Sequence, residues 1–98
     1  MNNVAGKEKY ERMWQITAEV IRAWDPYSLA GGSAKDEFDS EISAVVTHIS
    51  RMRSPSDAAN AVSQVFSSNF EPHLFSPKDC SEVGSELFAR LKEQGFVS

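Results

Sequence analysis

In four stretches of this chain the apolar residues recur every three or four positions, and in no stretch do they alternate over the length of a strand. Spacing by three and four lines one face of an α-helix, whereas a half-buried strand needs period two. The pattern commits the chain to helices before any other feature is weighed.

The first stripe is Tyr10, Met13, Trp14, Thr17, Val20, Ile21 and Trp24, which predicts a helix over about 7–24. Glu8, Arg12, Gln15, Glu19 and Arg22 fall on its other side. Asp25-Pro26 stops it, because the residue before a proline is pushed out of the α region. Phe38, Ile42, Val45, Val46, Ile49 and Met52 form the second stripe and predict a helix over about 34–53, with Ser33 and Asp36 as its capping box. The third and fourth helices, about 55–70 and 77–94, open with one shared device. Ser54-Pro55-Ser56-Asp57 and Ser76-Pro77-Lys78-Asp79 each place serine at N-cap, proline at N1 and an acid at N3. Gly95 is placed to end the last helix in a Schellman cap, with Phe96 folding back on Leu91.

Most connections between these helices are short, so sequential helices are expected to pack as antiparallel neighbours. The expected fold is all-α: a compact, four-helix bundle-like single domain over residues 1–98. With 41% hydrophobic residues the chain has material for one core. A chain of this size buries roughly 60–65% of the surface its unfolded form exposes, which leaves little room for a deep enclosed active site.

The formal net charge of −4 lacks the basic patch that neutralises phosphates, which argues against nucleic-acid and anionic-membrane partners. No stretch approaches the roughly 20 apolar residues of a membrane span. Met1 to Gly6 is followed by Lys7-Glu8-Lys9 and not by an apolar run, so no targeting segment is read and a cytoplasmic location is expected. One cysteine allows no internal disulfide and no cysteine-rich metal site.

Three residue groups invite a chemical reading. Cys80 with His73 is the thiol–imidazole pair, but Cys80 falls within the fourth helix's apolar stripe of Cys80, Val83, Gly84, Leu87, Phe88 and Leu91, where a free cysteine behaves as a small hydrophobe. His48, two turns after Glu41, offers two metal ligands where a site needs three or four. Gly31-Gly32-Ser33-Ala34-Lys35 lacks the spacing of a phosphate loop and has no strand before it. No catalytic residue, cofactor site or metal site is therefore assigned, and no enzyme activity is expected.

Charge is distributed unevenly. Residues 25–41 carry Asp25, Asp36, Glu37, Asp39 and Glu41 against Lys35 alone, a balance of −4, and the rest of the chain sums to zero. Acids at a helix N-terminus stabilise it by roughly 0.3–1 kcal/mol each, which accounts for Asp36, Glu37 and Asp39 better than for Asp25 or Glu41. The outer face of the second helix is unusual too: Ser40, Ser43, Thr47 and Ser50 are poor helix formers without charge.

Trp24-Asp25-Pro26-Tyr27-x-Leu29, then Asp36-Glu37-Phe38-Asp39-Ser40-Glu41-Ile42, then Val65-Phe66 with Phe70, resemble the YugE-like family of small bacterial proteins of unknown function. The resemblance runs from about Tyr10 to Leu91. It implies a compact helical domain and a bacterial origin, and no activity. Its motif and the charged segment coincide, so Asp25, Tyr27, Asp36, Glu37, Asp39 and Glu41 are the expected partner-binding residues. The expected partner is a basic protein, as for an immunity protein or toxin inhibitor that plugs a basic cleft. The alternative is a structural or regulatory module that forms homo-oligomers through Tyr10, Trp14 or the serine-rich face.

Overall fold

A computed structural model describes residues 3–24, 38–70 and 75–97, and the side chains among these from Lys7 onward. Helix α1 spans Asn3–Trp24, α2 Asp39–Val46, α3 Pro55–Asn69 and α4 Ser81–Glu93, with a short 3₁₀ turn at Ile49–Arg51. The described residues contain no strand, so the chain is all-α, as the apolar spacing predicts.

Helix α1 packs on α2 and α4, and α3 packs on the same two. Side-chain pairings fix the directions. Trp14 meets Ser43 while Arg22 meets Asp39, so α2 runs back along α1. Arg12 meets Gln94 while Glu19 meets Arg90, so α4 also runs antiparallel to α1. The core between them holds Ile21, Ile42, Val45, Val62, Phe66, Leu87 and Leu91, all fully buried. A radius of gyration of 13.1 Å suits a folded chain of this length.

The two Ser-Pro-x-Asp devices both form. Ser54 Oγ accepts from the Asp57 amide at 3.2 Å, with Pro55 at the first helical position. Ser76 Oγ accepts from the Asp79 amide at 3.1 Å, and Asp79 Oδ2 accepts in return from the Ser76 amide at 3.2 Å. The second device caps a tight turn over 77–80 and not the helix itself, so α4 begins at Ser81 and not at Pro77. The junction is a mixture of bond types: the Cys80 amide reaches Ser76 O, whereas the Ser81 amide reaches only Lys78 O. At the other end the Schellman cap is complete. Gly95 has φ 80, its amide donates to Lys92 O at 3.0 Å, and the Phe96 amide donates to Leu91 O at 2.9 Å. Phe96 then packs on the core.

The second helix departs from its expected span of 34–53. Phe38 has φ 70, a left-handed conformation that no interior helix residue adopts, so α2 begins at Asp39. The expected capping pair Ser33 and Asp36, and the Gly31-Gly32 turn, lie outside the described residues. The helix ends at Val46, where Thr47 Oγ1 donates to Ala44 O at 2.6 Å. From His48 onward the amides bond three residues back and not four. The tightened turn still buries Ile49 and Met52, because a three-residue repeat keeps both on the core side.

Tyr10 also departs from expectation. Its spacing places it in the buried stripe of the first helix, yet it is 45% exposed. The helix starts earlier than Lys7, and Lys7 to Arg12 are all exposed; burial begins with the partly covered Met13 and Trp14 and is complete at Ile16.

Candidate functional site

Of the six expected partner-binding residues, Asp39 and Glu41 are described; Asp25, Tyr27, Asp36 and Glu37 lie outside the described residues. Asp39 opens α2, where a carboxylate suits the positive end of the helix dipole. It also accepts from Arg22 Nη2 at 2.7 Å, with 46% of its side chain still in solvent. Glu41, half-buried, accepts from Asn69 Nδ2 at 3.1 Å. Both carboxylates are therefore tied to neighbouring helices, Asp39 to α1 and Glu41 to α3, while remaining at the surface.

Arg22 departs from the position its spacing implies, on the solvated face of the first helix. Its guanidinium instead lies 5.5 Å from the centre of the Trp14 ring while it bridges to Asp39, and its Nε is buried without a hydrogen-bond partner. Trp14 Nε1 in turn donates to Ser43 Oγ at 2.9 Å. The serine-rich face thus divides: Ser43 packs against α1, whereas Ser40, Thr47 and Ser50 are exposed. The one available signal for Arg22 was its place in the last turn of the first helix, where a cation suits the dipole.

Beneath this rim lies an aromatic cluster. Trp24 meets Phe66 edge-on at 5.2 Å between ring centres and Phe75 at 5.9 Å. Phe38 lies 5.7 Å from Phe66 and 6.2 Å from Phe70, and Phe66 stacks on Phe70 at 5.6 Å. Aromatic pairs in such arrangements contribute roughly 0.5–1.5 kcal/mol each beyond their buried area. Ser63 and Ser67 both donate to the Phe75 carbonyl and fix the chain there. The tryptophan and phenylalanines of the sequence motif are thus brought together, with Asp39 and Glu41 at their edge.

The chemical candidates receive little support. Cys80 is fully buried, and burial together with the nearby Asp79 carboxylate pushes its thiol up to about 11. At neutral pH it is protonated and shielded, the opposite of an activated nucleophile. His73 lies outside the described residues. His48 is half-buried beside the 3₁₀ turn, and among the described residues no three His, Cys, Asp or Glu side chains are grouped to hold a metal. No described helix is long and apolar enough to cross a membrane.

A family model, the domain of unknown function DUF1871, matches residues 16–97. The chain belongs to this family. The match covers α2, α3, α4 and the packed part of α1, and it starts just where α1 becomes buried. In this DUF1871 chain the exposed residues Lys7 to Arg12 precede the matched segment. No curated protein and no solved structure gives a significant match.

Proposed function

We propose that this DUF1871 chain is a non-enzymatic protein-binding domain that docks a basic partner through the acidic segment 25–41. In its most concrete form it is a bacterial immunity protein or inhibitor, acting in the cytoplasm and belonging to the YugE-like members of the family. One observation carries the reading: the whole net charge of the protein, −4, falls within those seventeen positions. Toxins that act on nucleic acid carry basic clefts, and a small acidic domain can block such a cleft by charge complementarity. The surface position of Asp39 and Glu41 beside a rigid aromatic base supports the reading, because a docking edge held on packed helices loses less freedom on binding.

The test is affinity capture from the native cell, with the bound protein identified. The expected result is a strongly basic protein retained by the wild type and lost when Asp36→Asn, Glu37→Gln, Asp39→Asn and Glu41→Gln are combined. Recovery of no basic protein, or equal retention by the variant, overturns the reading.

Self-association is the second reading. Tyr10 favours it, as an exposed large hydrophobic on the unpacked turns of α1. Trp14 no longer does, since its indole is bonded to Ser43 and covered by Arg22. A sedimentation coefficient that stays monomeric up to high concentration removes this reading.

A further inference from the structure

We infer that the seam between α1 and α4 carries a cleft for an arginine side chain presented by a basic protein partner. Arg90 spans the middle of the seam, meeting Glu19 at 2.7 Å and Glu86 at 4.0 Å. On the Gln94 side of this latch the groove is polar, and Arg12 there is already bonded to Gln94. On the Trp24 side lies a cleft of about 220 Å³ with apolar walls from Val20, Ala23, Trp24 and Val83. Its rim is formed by Glu82, Glu86 and Arg90.

Charge selects the occupant. The one cation of the rim, Arg90, is matched by Glu19 and Glu86, and Glu82 has no ion pair among the described residues. The cleft therefore presents unmatched negative charge above an apolar floor. A long cationic side chain satisfies both, laying its methylenes on the exposed Ala23 and the half-buried Trp24, beside the largely covered Val20 and Val83, and its charge between the two carboxylates. Trp24 favours arginine over lysine. Its ring is held in place by edge contacts to Phe66 and Phe75, and a planar guanidinium stacks on an indole better than an ammonium does. The cleft's lining includes neither Asp39 nor Glu41, and the proposal does not rest on the reading of the acidic segment.

The test is an amide-resolved NMR titration at low salt with acetyl-Gly-Arg-Gly-amide, run beside the same peptide with norleucine for arginine. Saturable shifts at Val20, Ala23, Val83 and the Trp24 indole N–H are expected with the arginine peptide. Glu82 and Glu86 are both exposed, so the double variant Glu82→Gln, Glu86→Gln folds normally. It weakens binding by about three- to tenfold, as two exposed ion pairs allow. Norleucine weakens it by a similar factor, and Asp39→Asn with Glu41→Gln leaves it unchanged. No shift, an equal response to norleucine, or a response that follows Asp39 and Glu41 overturns the proposal. So does a shift of the same signals on dilution without peptide, which marks a second copy of the chain as the occupant.

Discussion

At the scale of single residues, the chain uses its reactive groups for packing. Cys80 is the clearest case. Its thiol titrates at about 11 in the folded protein against an ordinary value of 9.0, because burial and Asp79 both oppose the thiolate. Between these two values the unfolded chain releases a proton that the folded chain keeps, so the unfolded state is favoured as pH rises. Stability should hold below about pH 9 and fall from there toward pH 11, by denaturant titration, with Cys80→Ser removing this alkaline component. A thiol reagent at neutral pH should react with Cys80 only after denaturant is added. Asp39 gives the contrasting case of a charge only partly committed to structure. Its bridge to Arg22 is about half exposed on both sides, so Asp39→Asn should cost about 1 kcal/mol or less in a chemical melt. A loss of partner binding in that variant then reports on the surface and not on unfolding.

At the scale of elements, legibility depended on whether local chemistry or distant packing sets the boundary. The start of α3 and the end of α4 are set locally, by Ser54-Pro55 and by Gly95, and both were legible in the sequence. The start of α2 is not. Phe38 takes a left-handed backbone at a cost of roughly 1–2 kcal/mol, and what compensates it is the burial of its ring against Phe66 and Phe70, more than 25 residues away. No neighbouring residue announces that. Tyr10 departs from its stripe for the same reason: periodicity reports that a face is apolar, and only the length of the helices opposite decides where coverage begins. The packing of α3 on α4 turns on Gly84, where an added Cβ would sit 2.5 Å from the Ala59 Cα and amide nitrogen. Backbone cannot yield as a side-chain tip can. Gly84→Ala should destabilise the fold by about 1–3 kcal/mol from overpacking, less the roughly 1 kcal/mol that alanine gains in a helix. Ala59→Gly does not restore it, because the clash is with main-chain atoms.

At the scale of the whole molecule, an all-helical bundle holds Asp39 and Glu41 at the edge of an aromatic base. The fold class was legible because helical periodicity survives in every stripe. The charged segment was legible because charge can be counted along a chain. Its coupling to the core was not: that Asp39 and Glu41 are anchored by Arg22 and Asn69 depends on helix directions that no local pattern encodes. The same anchoring gives the docking proposal its physical form, since fixed charges at a surface steer a diffusing partner of opposite sign and lose that effect when salt screens them. The most direct test is the association rate constant of the captured basic partner, measured from about 0.05 to 0.5 M salt for the wild type and for the variant neutral at Asp36, Glu37, Asp39 and Glu41. The wild-type rate should fall at least tenfold over that range, starting from a higher value, while the variant stays slow and nearly flat. Equal salt dependence in the two proteins, or none in either, would contradict the assignment of the 25–41 segment as the docking edge.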